Sequence, residues 1–113
     1  MAQQIPRRHH RLKTFATLKY NGYKLAGRGI VKDLSQSGSC ITGNMPVRTG
    51  MVLSLQIFVP GVPEPLQIER ATVVWVKRAE FGVHFDSLTI EVTKQITQVI
   101  YKQIKKQRES SPA

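Results

Sequence analysis

The sequence predicts a mainly β fold: a small six-stranded antiparallel (split) β-barrel with one C-terminal α-helix. Three observations lead there. From Phe15 to Phe85 the apolar residues fall in short alternating runs, and turn signals separate those runs. After Asp86 the apolar spacing changes to that of a helix. The chain has 113 residues with 41% apolar content, which suits one domain with one core. Six short strands with regular turns close naturally into a barrel, because closure removes exposed edges.

The elements follow in order. Residues 1–12 form a basic arm, expected to be flexible. The barrel and its helix occupy 13–108. Phe15 to Tyr20 reads as the first strand, and Asn21-Gly22 after it is the strongest short hairpin signal available. Tyr23 to Lys32 is the return strand, with Gly27 and Gly29 marking a bulge or a close approach. Asp33 to Gly38 is a turn, and Ser39 to Thr42 a short strand. Met51 to Val59 alternates, with Leu53, Leu55, Ile57 and Val59 on one face. Pro60 to Pro65 cannot continue a strand. Leu66 to Lys77 is β-rich, and its apolar phase shifts near Arg70, which predicts a bulge. Phe81, Val83 and Phe85 alternate in the last strand, with His84 opposite. A helix is expected over about 88–108, capped by Asp86 or Ser87. Val92, Ile96, Val99, Ile100 and Ile104 form its apolar stripe. Residues 109–113 read as a disordered tail.

Charge narrows the function. The net charge is +10, and residues 1–32 carry eight Lys/Arg and no acid. Such a one-sided field draws polyanions, nucleotides or acidic membrane. No stretch is long enough for a transmembrane helix, and no apolar run follows the first basic residues as in a secretory signal. Cys40 is the only cysteine, so an internal disulfide is impossible and a cytoplasmic setting is the simplest reading.

Two clusters carry most of the chemistry. Arg7-Arg8-His9-His10-Arg11 offers an Arg-x-x-x-Arg spacing, and guanidinium forks suit phosphate and the acceptor edge of guanine. Asp33-Leu34-Ser35-Gln36-Ser37-Gly38 places an acid, a hydroxyl and a glycine as Asp-x-Ser-x-x-Gly. An aspartate accepts from guanine N–H groups. Read alone, the first cluster is a solvated basic arm and the second an Asx-type turn. Adjacent His9 and His10 lack partners at zinc-ligand spacing, so no metal is expected. Cys40 reads as a small core residue, and Trp75 as core or mouth packing rather than a base-stacking platform. Ser35 lacks the flanking glycines of a nucleophile elbow, and Gly27-Arg28-Gly29 has Lys32 where a dinucleotide fingerprint needs its third glycine. No catalytic set emerges, which predicts a binding module rather than an enzyme.

These residues resemble a PilZ domain, the bacterial receptor module for cyclic di-GMP. The resemblance runs from about Arg7 to Ile104. It rests on the two clusters in order, Gly50-Met51-Val52-Leu53, Ala71-Thr72-Val73-Val74-Trp75 and Gly82-Val83-His84-Phe85. It implies a six-stranded barrel with a C-terminal helix, and a ligand, cyclic di-GMP, with no other cofactor. Arg7 and Arg11 would contact phosphate and guanine, with Arg8 a third cation. Asp33 and Ser35 would meet a guanine edge, and Gly38 would let the turn approach it. The arm would close over the ligand beside Asp33, and an unidentified downstream protein would read the result; no DNA or RNA is expected. Pro6 precedes the arginine cluster, where the family varies, which leaves open one or two nucleotides per chain. Two other readings stay open. One is a basic single-stranded nucleic-acid barrel of the OB or cold-shock type, which would display stacking aromatics. The other is a PilZ-like protein adaptor that binds no nucleotide.

Overall fold

The computed structural model describes residues 12–13 and 16–110. Its elements are β1 (Leu12–Lys13), β2 (Thr17–Gly22), β3 (Leu25–Leu34), β4 (Gly38–Gly43), β5 (Val52–Phe58), β6 (Leu66–Lys77), β7 (Glu80–Ser87) and α1 (Ile90–Ser110). Strands β3, β2, β5, β6, β7 and β4 are neighbours in that order, and β4 pairs back onto β3. All pairings are antiparallel, so six strands close into a barrel. β1 adds a short pairing beside the Asp33–Leu34 end of β3.

The first hairpin turns two residues later than Asn21-Gly22 predicts. Asn21 pairs with Ala26 and Gly22 with Leu25, so Tyr23 and Lys24 form the tip. Tyr20 decides the register. It is fully buried, and its partner is Gly27. A Cβ at Gly27 would lie 2.4 Å from the Tyr20 ring, so the glycine makes room for the phenol. A turn at Asn21-Gly22 would instead set Tyr23 opposite Tyr20 on the inner face, where two phenols do not fit; Tyr23 is 84% exposed. The Tyr20 hydroxyl donates to the Met45 carbonyl (2.6 Å) and accepts from the Met45 amide (2.9 Å). Its ring meets Phe81 edge-on at 5.3 Å, a favoured aromatic geometry.

The phase shift near Arg70 is a real bulge. Leu66 and Ile68 are buried, then Ala71 and Val73, and the pairing with β5 and β7 slips at that point. A second irregularity follows between Val73 and Trp75. β3 carries its own bulge between Val31 and Asp33. Pro60-Gly61 forms the expected turn: Val62 N–H donates to the Val59 carbonyl, and Gly61 takes the positive φ (81°) of a type II turn.

The helix starts at Ile90, and Thr89 caps it rather than Asp86 or Ser87. Thr89 Oγ1 accepts from the Val92 amide at 3.1 Å. Asp86 is engaged elsewhere, accepting from Thr72 Oγ1 at 2.6 Å, and β7 runs on to Ser87. Ile96, Val99 and Ile100 bury into the barrel's own core, with Val92 packed at its margin. Burying each such side chain contributes roughly 1.5–3 kcal/mol. The Ile104 side chain lies outside the described residues. Among those described, no helix is long and apolar enough to cross a membrane.

Candidate functional site

The Asp33–Gly38 turn joins β3 to β4 and is built from within by Ser35. That residue is buried (1% exposed). Its hydroxyl donates to the Gly38 carbonyl and accepts from the Gly38 amide, both at 3.1 Å. It also accepts from the Ser37 amide at 3.3 Å. The Ser35 amide donates to Gly38 O at 2.9 Å. Ser35 therefore shapes the loop from inside. Gly38 is required by space rather than by backbone angle: a Cβ there would lie 2.3 Å from the Val83 carbonyl oxygen. Gln36 reaches out of the loop and donates from Nε2 to Thr97 Oγ1 of α1 at 2.6 Å.

Asp33 faces the other way. The bulge in β3 sets both Lys32 and Asp33 between two buried residues, Val31 and Leu34. Asp33 is half-buried, and its Oδ1 accepts from the Cys40 amide at 3.2 Å. The register then runs sideways across the outer face of the barrel: Asp33 opposite Cys40, Cys40 opposite Gly82, Gly82 opposite Trp75. Neighbouring strands lie about 4.8 Å apart, so this row spans roughly 14 Å. The Trp75 indole lies over Gly82, where a Cβ would sit 2.1 Å from Nε1. His84 is exposed one step along, opposite Gly38.

This face corrects two expectations. Trp75 is 41% exposed and Cys40 half-exposed; neither is core. The bulge between Val73 and Trp75 turns the indole outward, and alternation alone could not reveal it. The sequence signal for this platform was Gly82, a strand glycine whose missing side chain leaves room for a neighbour. Phe81 and Phe85 are buried, so the described barrel lacks the clustered exposed aromatics of a nucleic-acid platform.

Lys32 and Glu80 pair at 2.5 Å at the edge of this face. The hydrogen bond to Glu80, and then its charge, raise the Lys32 ammonium above its usual range. The bond to Lys32 lowers the Glu80 carboxyl. Whatever stability the pair adds is therefore lost as pH falls through the lowered carboxyl value or rises through the raised lysine value. Both groups are solvent-exposed, so the effect is small.

Arg7, Arg8 and Arg11 lie outside the described residues. β1 follows them directly in sequence. Leu12 pairs with Leu34 and Lys13 with Asp33, so Arg11 is one residue from a backbone paired beside the turn. Arg7 is five residues ahead of Leu12, a tether of at most roughly 18 Å.

Comparisons with known proteins agree with this architecture. A family model described as the PilZ domain matches residues 5–102. Among solved structures, the PilZ domain of YcgR from Escherichia coli with c-di-GMP superposes at TM-score 0.76 and 15% identity, covering 91% of this chain and 95% of that one. The PilZ domain of CeSA from a cellulose-synthesizing bacterium gives 0.68 and 12%, covering 83% and 97%. The Bacillus subtilis inhibitor of motility MotI gives 0.75 and 16%; it covers 99% of this chain, which spans 56% of that protein. No curated protein matches the sequence significantly.

Proposed function

The chain belongs to the PilZ domain family, and from that premise we propose that it is a cyclic di-GMP receptor whose site lies on the outer face around Asp33. One observation supports this reading: Leu12 and Lys13, which directly follow the arginine cluster in sequence, pair with the Asp33–Leu34 end of β3. A ligand with two guanines and two phosphates needs acceptors and cations in one place. Asp33 accepts from a guanine edge. Arg7 and Arg11, with Arg8 beside them, bind phosphate and guanine through charge-assisted bonds. Ser35 and Gly38 keep the turn in the shape that lets the base approach. Trp75 offers a base a stacking surface at the far end of the row. PilZ domains are ligand-binding modules, and this one would act in the cytoplasm by presenting the closed arm to a downstream protein.

Calorimetric titration tests the reading. Cyclic di-GMP should bind at about micromolar Kd or tighter, roughly −8 kcal/mol. GMP and GTP should bind much more weakly, lacking the second guanine and the cyclic diphosphate. Arg7→Ala and Arg11→Ala should each weaken binding by roughly 1.5–3 kcal/mol. Equal affinity for GTP, or full affinity in both arginine variants, would remove the proposal.

A further inference from the structure

Further along the outer face of β3, on its β2 side, lies a second charged surface that the row from Asp33 to Trp75 does not use. Lys19 of β2 and Arg28 of β3 stand directly opposite each other in register, both exposed. Among the described residues, no carboxylate lies within ion-pair distance of either. Like charges directly opposed across an antiparallel pair destabilise it. A strand pair selected for stability alone would set an acid against one of them. The two cations border a shallow groove of about 280 Å³, whose walls include Asn21 and Asn44. Asn44 is fixed there by two bonds to Arg28: its Oδ1 accepts from the Arg28 backbone amide at 2.8 Å, and its backbone N–H donates to the Arg28 carbonyl at 2.9 Å. In the next row outward, Ile30, Thr17 and Phe58 are neighbours across three strands, and Ile30 and Phe58 remain 46% and 37% exposed.

We infer that this β3–β2–β5 face docks a partner-protein segment that presents carboxylates beside apolar side chains. Charge complementarity selects the acid: an Arg fork grips a carboxylate with two bonds, and a second cation lies across the groove. The apolar pair beside the cations selects protein over nucleic acid. Protein interfaces set Arg against aromatic and aliphatic surface. A nucleic-acid groove needs cations tracking a phosphate backbone and several stacking rings, and among the described residues this face offers Lys19, Arg28 and the Phe58 ring. The inference is independent of cyclic di-GMP, since it uses other residues of β3 and runs toward β2 and β5 rather than β4 and β7.

The test uses the full chain and a labelled twelve-residue peptide, (Glu-Leu-Glu-Ala)3, followed by amide NMR and fluorescence anisotropy. Binding should shift the amides of Lys19, Asn21, Ala26, Arg28 and Asn44. Arg28→Glu should weaken binding at least ten-fold. The same variant should melt roughly 2–5 °C higher, because the introduced carboxylate faces Lys19. Lys94→Glu on α1, the same change of charge, should cost less than two-fold. Lys19→Gln, which adds no new charge, should weaken binding at least three-fold and covers the case in which Arg28→Glu folds poorly. Equal losses in Arg28→Glu and Lys94→Glu would reduce the effect to net charge and overturn the proposal. So would shifts centred on Trp75 and His84, no binding by the wild type at millimolar peptide, or a (dT)12 oligonucleotide taking this face where the peptide does not.

Discussion

Ser35 and Asp33 stand two residues apart and face opposite ways, so their substitutions should separate. Ser35→Ala removes a buried hydroxyl that accepts from two amides and donates to one carbonyl. Leaving such groups unpaired costs about 1–3 kcal/mol each. The melting temperature should fall by roughly 5–15 °C, read by far-UV circular dichroism. Asp33→Ala removes a half-buried carboxylate, among whose contacts is the Cys40 amide. It should lower the melting point less than Ser35→Ala does and, at the proposed site, weaken cyclic di-GMP by about 1–3 kcal/mol in calorimetry, because a guanine edge would lose its acceptor. An unchanged melting point in the serine variant, or unchanged affinity in the aspartate variant, would reverse these assignments. The Asp-x-Ser-x-x-Gly spacing was legible in the sequence. The division of labour within it was not, because which side chain faces the core depends on a bulge that residue types do not announce.

At the scale of elements, the hairpin tips hold stored cost. Lys24 and Arg78 adopt left-handed backbone at φ 53° and 60°. That region disfavours L-residues by about 1–2 kcal/mol, while glycine enters it freely. Arg78→Gly should therefore stabilise the protein by roughly 0.5–1 kcal/mol, after glycine's larger loss of chain entropy is subtracted. Chemical denaturation measures this directly, and a destabilised variant would mean that the Arg78 side chain holds the turn. Lys24 is a poorer test, since its ammonium lies 5.5 Å from the centre of the Tyr23 ring. Strand alternation made β5 and β7 legible almost to the residue, and the broken phase of β6 announced its bulge. The first hairpin misled because turn propensity at Asn21-Gly22 is weaker than the demand that Tyr20 lie over Gly27.

At the scale of the molecule, α1 belongs to the barrel's core rather than decorating it. Ile96 is fully buried there. Ile96→Ala should cost about 2–5 kcal/mol, a large share of a small domain's total stability. Trp75 fluorescence on the barrel and far-UV dichroism on the helix should still report one shared transition. Two separate transitions would make the helix an independent unit. Fold class and helix were legible because both depend on apolar period, which survives local irregularity. The candidate site was half legible: the acid turn could be read from its motif, but the row from Asp33 to Trp75 exists only through the register of four strands. Glycine's absence of bulk at Gly82, rather than any chemical group, marked its centre.

The bulge in β3 has a genetic consequence. Regular alternation between inward Val31 and inward Leu34 would leave room for one outward residue, and β3 has two, Lys32 and Asp33. One engages Glu80 and the other faces Cys40. Loss of a single codon here would restore an even strand, with Val31 and Leu34 still inward. A lineage could then gain or surrender the acid of this surface in one event while its barrel went on folding, so the charge of this face and the fold are separately heritable in this chain.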